Sequence, residues 1–218
     1  MGDVMTLSSL TQATDLLAAV SFAVTGSLVA SRKKMDIIGF MWLAVLTGVG
    51  GGTVRDMILD VPVFWVLDPI HLVACLVTAV FVFFLVPFIE SRRQAVLWFD
   101  AIGLALVTVV GTAKGMDHGV GPFVAVVMGV ITATVGGVVR DVIGNEPSVI
   151  LRREIYVTAA LLGGSTYVLL FSLDVSGMMA AIASFLVTFT VRSVAMIFQW
   201  QLPSFPGSDR SSDDQAAR

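Results

Sequence analysis

Residues 51–56 of this 218-residue chain read GGTVRD, and residues 136–141 read GGVVRD, 85 positions later. The same offset of 85 relates further identical pairs, among them Asp15 and Asp100, Gly26 and Gly111, Thr47 and Thr132, Pro62 and Pro147, and Ile70 and Ile155. Gly, Pro, Asp and Arg are prominent among the matches although Leu and Val dominate the chain, so shared hydrophobicity does not explain them. The sequence therefore predicts an internal duplication.

The composition indicates an integral membrane protein. Hydrophobic residues make up 56% of the chain and charged residues only 13%, whereas about a quarter of a soluble domain is charged. The net charge of −3 gives no indication of a nucleic-acid partner, so the expected partner is the lipid bilayer. Segments apolar enough to cross about 30 Å of hydrocarbon cover residues 10–30, 37–58, 70–89, 96–114, 121–143, 155–173 and 176–199.

These segments predict an all-α fold with seven transmembrane helices in a single domain over residues 1–200, followed by a disordered cytoplasmic tail over residues 201–218. Repeat one spans about residues 10–90 and repeat two about residues 95–175, with a seventh helix at about 176–200 outside the symmetry. Because each repeat holds three spans, an odd number, the second copy must enter the membrane in the opposite direction. The sequence thus predicts two inverted three-helix repeats.

Basic residues predict the orientation. If seven helices alternate, Lys114 is alone on one side and nine basic residues lie on the other, namely Arg32, Lys33, Lys34, Arg92, Arg93, Arg152, Arg153, Arg210 and Arg218. The positive-inside rule then places the N-terminus outside and the C-terminus in the cytoplasm.

The glycines of the two motifs predict helix kinks. Gly50, Gly51 and Gly52 interrupt the second span, and Gly136 and Gly137 interrupt the fifth, where Val135 replaces the first glycine. Each glycine costs a helix about 1 kcal/mol relative to Ala, so we expect the second and fifth helices to bend or break there and to expose carbonyl groups that attract cations. The alternative is that these glycines only let two helices approach closely.

The motif charges are candidates for a pore or gate. Arg55 and Asp56 are adjacent, as are Arg140 and Asp141, so on a helix they point about 100° apart. We therefore expect that neighbouring charges cannot pair well with each other and that each needs another partner. Charged residues at membrane depth cost at least a few kcal/mol and normally face a bundle interior or a water-filled path.

Inverted topology supplies those partners. Asp15 and Arg55 lie toward the outer ends of the first two helices, and Asp100 and Arg140 occupy the mirrored places at the inner end. We predict contacts between Asp15 and Arg55 and between Asp100 and Arg140. The alternative is that an arginine extends to the lipid headgroups, which we expect of Arg192 because it lies near the cytoplasmic end of the seventh helix.

Hydroxyl side chains near the motifs are candidates for a polar pore lining, and they are Thr47, Thr53, Thr132, Ser27 and Thr112. The alternative is that each bonds to a carbonyl of its own helix or packs between helices. His71 and His118 are not spaced as a metal pair, so no metal site is expected.

GGGTVRD at residues 50–56 and GGVVRD at residues 136–141, in spans arranged as three, three inverted and one, resemble the trimeric intracellular cation channels, in particular their bacterial and archaeal branch. The resemblance implies a homotrimer in a prokaryotic inner membrane, in which each protomer carries its own pore lined by the kinked second and fifth helices. It also implies that monovalent cations, mainly potassium, pass through and that no cofactor is needed. The basic lipid-binding motif of animal members is not found around Lys114.

A second hypothesis comes from a different class, because bacterial relatives with this doubled domain have also been labelled glycine transporters. A transporter of glycine or a similar small zwitterion would need a closed central site, for instance with the carboxylate at a half-helix N-terminus and the ammonium at Asp56. The sequence has charges at both ends of the core and no polar cluster at its middle, which favours the channel. No nucleophile, metal cluster or phosphate-binding loop favours an enzyme.

Overall fold

The computed structural model of the chain describes residues 2–89, 91–148 and 154–203, with side chains described from residue 12 onward except that of Arg92. Most of the predicted tail, residues 204–218, lies outside the described residues, as do Arg152 and Arg153. The disordered tail and the domain limits therefore stay predictions.

Eight α-helices form within the described residues. They are α1 (Gly2–Arg32), α2 (Ile37–Ile58), α3 (Phe64–Leu67), α4 (Ile70–Leu85), α5 (Arg92–Asp117), α6 (Pro122–Ile143), α7 (Val157–Ser172) and α8 (Gly177–Ile197). In this part of the chain, six helices are long and apolar enough to cross a membrane, and α7 is a shorter apolar helix of 16 residues, about 24 Å long. The all-helical membrane class is confirmed, and only the four-residue α3 corresponds to no predicted span.

Local sequence explains where several helices begin. Asp36 caps α2, because its side-chain Oδ1 accepts the N–H of Gly39 at 2.8 Å, and Ser91 and Ser176 take the same place before α5 and α8. Pro122 occupies the first turn of α6, where its missing N–H costs nothing. Polar caps and proline thus separate apolar runs that would otherwise read as one continuous stretch.

The duplication is visible in the backbone. Asp60 follows α2 and Asn145 follows α6, and both adopt the left-handed conformation, with φ of 53° and 46°. The next residue in each turn, Val61 or Glu146, donates its N–H to the carbonyl of the motif aspartate, at 3.0 and 2.9 Å. The two helices that carry the motif therefore end in the same C-terminal turn.

The helices pack as two bundles, one built around α1 and the other around α5. α1 packs against α2 and α4, α5 packs against α6, α7 and α8, and the bundles meet where α1 contacts α5 and α2 contacts α6. Buried apolar side chains fill the first bundle, including Leu28, Leu43 and Cys75, and Leu104 and Tyr156 are among those at the junction with the second.

Both motif helices run without interruption through their glycines. α2 is helical from Ile37 to Ile58 and α6 from Pro122 to Ile143. The expectation that the backbone breaks at Gly50–Gly52 or at Gly136–Gly137 is therefore wrong, because the i to i−4 hydrogen bonds are kept through the glycines. A bend that preserves these bonds stays a prediction.

Candidate functional site

Asp15, Arg55, Asp56 and Lys114 form one charged group at one end of the bundle, which we call the Arg55 cluster; Arg55 and Asp56 are buried, and Asp15 and Lys114 are partly exposed. Arg55 is fully buried, with its Nε 2.7 Å from Asp56 Oδ1 and its Nη1 3.6 Å from Asp15 Oδ1. Lys114 extends from α5 and places its Nζ 2.8 Å from the same Asp56 oxygen. The predicted contact between Asp15 and Arg55 is confirmed.

Asp100, Arg140 and Asp141 form the corresponding Arg140 cluster. Arg140 Nη1 lies 2.6 Å from Asp100 Oδ1, and its Nη2 lies 2.9 Å from Asp141 Oδ1. The predicted contact between Asp100 and Arg140 is confirmed. On α5, Asp100 and Lys114 are fourteen residues apart, about 21 Å, so the two clusters lie toward opposite ends of the bundle.

The expectation that neighbouring motif charges cannot pair is wrong. Arg55 Nε donates to Asp56 at 2.7 Å and Arg140 Nε donates to Asp141 at 3.0 Å. The arginine side chain is long enough to fold back along its helix and meet the next carboxylate with Nε. In both clusters Nη1 then lies toward the aspartate on the adjacent helix, so one guanidinium bridges two acids.

Lys114 makes the two clusters unequal, and sequence reasoning missed its partner. The position 85 residues before Lys114 is Val29, a buried apolar residue. By formal charge the Arg55 cluster is neutral, with two cations and two anions, whereas the Arg140 cluster carries one cation and two anions. The signal for this contact was present, because the predicted topology places Lys114 and Arg55 at the same end of the membrane.

A cavity of about 450 Å³ opens beside the Arg140 cluster, and Asp100, Arg140 and Asp141 all line it. Its other charged lining residues are Arg32, Lys33, Arg93, Glu146 and Arg192. Arg32 Nη2 pairs with Glu146 Oε1 at 3.2 Å, so the α1–α2 connection and the segment after α6 lie at the same end of the bundle. Positively and negatively charged side chains therefore surround a space large enough for several waters.

Arg192 does not extend to the headgroups, so that expectation is wrong. Its side chain is 2% exposed, Nη2 lies 2.7 Å from Glu154 Oε2, and the guanidinium lies 5.1 Å from the centre of the Tyr156 ring. The carboxylate and the ring face give the arginine a partner inside the bundle, which removes the reason to reach outward.

The glycines let α2 and α6 touch backbone to backbone. A Cβ on Gly51 would collide with the carbonyl of Thr132, and a Cβ on Gly136 would lie 2.6 Å from the carbonyl of Thr47. The offset of 85 exchanges these two contacts, since Gly51 corresponds to Gly136 and Thr47 to Thr132. At Gly51 and Gly136 the structure therefore shows close helix approach, which was the alternative to a kink.

The remaining motif glycines have other surroundings. A Cβ on Gly50 would meet nothing within 4 Å, and one on Gly52 would lie 2.6 Å from the Phe64 ring. A Cβ on Gly137 would lie 3.3 Å from the Tyr156 hydroxyl. Of the five motif glycines, Gly50 alone would place a Cβ with no described atom within 4 Å.

Three of the predicted lining threonines bond within their own helix. Thr47 donates to Leu43 at 2.6 Å, Thr132 to Met128 at 2.6 Å, and Thr53 to Val49 at 2.7 Å. Such bonds satisfy the hydroxyl donor and leave its oxygen able to accept another hydrogen bond.

Ser27 and Thr112, which the offset of 85 also relates, are both fully buried. Neither hydroxyl has a hydrogen-bond partner within the part of the chain that the structure describes. The role of all five hydroxyl residues as pore lining stays a prediction.

The connection between α2 and α4 also reaches the Arg55 cluster, which sequence reasoning missed. The Phe64 N–H donates to Asp56 Oδ2 at 2.9 Å, and the Trp65 indole Nε1 donates to Thr53 Oγ1 at 2.8 Å. Four residues carry too little periodicity to predict a helix or its contacts.

Across the described residues, no group of three or more His, Cys, Asp or Glu side chains could hold a metal ion.

Comparison with known proteins extends these observations. The family model described as "Glycine transporter" matches residues 12–87 and again residues 97–172, two segments that keep the offset of 85. The chain is 40% identical over 201 residues to the UPF0126 inner membrane protein YadS of Escherichia coli (strain K12), covering 88% of this chain and 94% of YadS.

Solved structures match as well. The trimeric intracellular cation channel (TRIC) orthologue from Rhodobacter sphaeroides is 47% identical, with a TM-score of 0.86 over 88% of this chain and 100% of that one. A prokaryotic TRIC channel crystallised in 0.5 M KCl is 27% identical, with a TM-score of 0.83 over 89% of this chain and 99% of that one.

The fold and the two clusters define an integral membrane protein built on a duplicated three-span unit with buried charges toward each end. The chain belongs to the prokaryotic branch of the trimeric intracellular cation channel family, whose duplicated domain also carries the description "Glycine transporter".

Proposed function

We propose that this protein is a monovalent cation channel with potassium as its permeant ion, and that it works as a homotrimer with one pore in each protomer, lined by α2 and α6. The observation that carries this proposal is the match at 47% identity to the whole length of the R. sphaeroides TRIC cation channel orthologue. YadS, an inner membrane protein, supports the same location for this chain.

The buried charges support the proposal physically. Arg55, Asp56, Arg140 and Asp141 are each at most 2% exposed inside helices long enough to span a membrane. Charges at this depth are expensive and typically mark ion pathways. The Arg140 cluster also places two carboxylates, those of Asp100 and Asp141, on the wall of the 450 Å³ cavity, where a passing cation can contact them.

We further propose that the two repeats are inverted, with the N-terminus outside and the C-terminus in the cytoplasm. The exchanged contacts Gly51 with Thr132 and Gly136 with Thr47 are the pattern that a twofold axis produces. With three spans in each copy, such an axis lies in the membrane plane. Arg32 and Lys33 support the cytoplasmic assignment of the end that holds the Arg140 cluster.

Proteoliposomes loaded with potassium chloride test the proposed function. We expect the protein to release potassium when an outward gradient is applied, and an Asp100→Asn variant to release it more slowly because it removes one negative charge beside the cavity. Asp174→Asn is the matched control, since Asp174 is exposed after α7 and its φ of 58° suits asparagine equally. Potassium release no faster than from protein-free liposomes loaded in the same way would contradict the proposal.

A second candidate, transport of glycine or a similar small zwitterion, is favoured by the description of the family model. The cavity beside the Arg140 cluster presents both carboxylates and guanidinium groups, the two partners that an ammonium and a carboxylate need.

Uptake of labelled glycine into matching potassium-free liposomes separates the two candidates. Saturable glycine uptake with no potassium release favours the transporter. Potassium release without glycine uptake favours the channel, because a continuous wet path conducts ions without an occluded site.

A further inference from the structure

The α2–α4 connection lies directly over the Arg55 cluster. The Phe64 ring packs against Gly52 and lies with its centre 5.6 Å from the Arg55 guanidinium carbon. The Phe64 N–H binds Asp56, and the Trp65 indole binds Thr53. The α2 residues that receive α3 therefore belong to the motif GGTVRD, and on α4 the His71 ring meets the Phe64 ring edge to face with centres 4.8 Å apart.

We propose that α3, with Phe64 and Trp65, is a lid that closes the Arg55 end of the pathway and is held shut by the motif residues Thr53 and Asp56. This inference rests on the proposed channel function, for which it names the gate. Arg55 and Asp56 are 0% exposed beneath the lid, whereas the Arg140 cluster faces a cavity. The described structure thus has α3 over the Arg55 end and a cavity beside the Arg140 end, although the three residues of the Arg140 cluster are themselves only 2% exposed.

The one difference between the two motifs supports the assignment. GGTVRD and GGVVRD differ only where Thr53 corresponds to Val138. Thr53 Oγ1 uses its hydrogen in a bond to the Val49 carbonyl and accepts the Trp65 indole N–H with its lone pair. A valine side chain has no hydrogen-bonding group, so the second motif cannot anchor a lid in this way.

Two hydrogen bonds to α2 and the ring contacts of Phe64 and Trp65 hold the short lid in place. α3 is four residues long and Val63 gives it no side-chain cap. Its outward residues Val66 and Leu67 are 61% and 71% exposed. The Trp65 indole bond is one of the two hydrogen bonds that join α3 to α2, so its loss should favour opening.

Single-channel recording of Trp65→Phe tests the lid, because phenylalanine keeps a ring and removes the indole donor. We expect the ratio of open to closed time to rise roughly twofold to tenfold, the effect of losing one net hydrogen bond, with the unitary conductance unchanged. Trp42→Phe is the matched control, since Trp42 lies on α2 and is 62% exposed. Equal open times in Trp65→Phe and wild type would overturn the proposal.

Hydrogen exchange measures the lid without relying on conduction. In Trp65→Phe we expect faster exchange at the Phe64 amide, whose N–H is bound to Asp56 in the closed lid, and unchanged exchange along α2. Unchanged exchange at Phe64 would overturn the lid. If the Phe64 amide exchanges faster but no variant passes potassium, the opening of α3 is supported. The channel function is then contradicted, and with it the role of α3 as a gate.

Discussion

At the residue scale, the two motif copies meet through glycine. Gly51 and Gly136 lie against threonine carbonyl groups of the opposite helix, while Gly50 has open space around its Cα hydrogen. The three consecutive glycines at 50–52 thus serve different purposes although they look alike in the sequence. Helix packing explains Gly51, packing of the Phe64 ring explains Gly52, and neither explains Gly50.

Alanine substitutions should separate these purposes. Gly51→Ala places a methyl group against the Thr132 carbonyl, so we expect it to destabilise the protein by about 1–3 kcal/mol, as overpacking does. Gly50→Ala is the matched control and should be neutral or stabilising by up to about 1 kcal/mol, because alanine favours the helix. Unfolding of both variants in mixed micelles measures the difference, and equal stabilities would contradict the packing role of Gly51.

Lys114 should set the charge of the Arg55 cluster. Lys114→Met removes the cation that lies 2.8 Å from Asp56 and leaves one net negative charge there. We expect the reversal potential in a potassium chloride gradient to move toward the potassium equilibrium potential. The shift should shrink between 0.1 and 1 M salt, where the screening length falls from about 10 to 3 Å. A shift toward the chloride potential would contradict this role.

Side-chain partners were predictable from the sequence only where the repeat supplied a rule. The contacts from Asp15 to Arg55 and from Asp100 to Arg140 followed from the offset and the odd number of spans. The bond from Arg55 to its neighbour Asp56 did not, because a helical wheel ignores how far an arginine can fold back. The contact of Lys114 with Asp56 has no counterpart in the other repeat, so the duplication could not reveal it.

At the scale of the elements, α8 is joined to the core by a charged anchor rather than by apolar packing alone. Arg192 on α8 binds Glu154 and donates to the Ile155 carbonyl at 3.3 Å, so the seventh span is attached to the segment that leads into α7. This anchor lies next to the cavity, which Arg192 also lines. A shift of α8 would therefore move Arg192 and change the shape of the cavity.

A double-mutant cycle should measure this anchor. Arg192→Met, Glu154→Gln and the double variant are compared by unfolding in mixed micelles. We expect a coupling free energy between about 0.5 and 3 kcal/mol, as for contacting charged residues, with Arg192→Met the more damaging single change because its side chain is the more buried. Additive effects of the two changes would show that the pair does not hold α8.

The long apolar elements were predictable because hydrophobic length alone defines a span. Sequence reasoning failed at α3, which is too short to show a period, and at the glycines, where it overestimated the cost of keeping a helix intact. Gly51 and Gly136 sit in α2 and α6 where the opposite backbone fills the space that a side chain would need. That close contact offsets the low helix propensity of glycine.

At the scale of the whole molecule, a duplicated core carries unequal ends. The family model matches both halves, and the turns after α2 and α6 repeat the same hydrogen bonds. Yet Lys114 and the α3 lid are found with the Arg55 cluster, and the open cavity with the Arg140 cluster. Duplication was predictable from residue identities at a fixed offset, whereas assembly of several chains leaves no such record in one sequence.

The proposed homotrimer is tested by native mass spectrometry of the detergent-solubilised protein. We expect three chains in the main species, as the family name implies, and a stable complex when the detergent concentration is lowered. A main species with the mass of one chain, observed under conditions that keep lipid bound, would contradict the trimer. The pore in each protomer would then have to function alone.

Single-channel recording in a planar bilayer with a potassium chloride gradient shows whether the charge clusters lie along a cation path. We predict discrete current steps that reverse near the potassium equilibrium potential in the wild-type protein. In Asp100→Asn the reversal potential should move toward zero, because a carboxylate beside the cavity is lost. An absence of unitary current, together with saturable glycine uptake by the same preparation, would contradict the account.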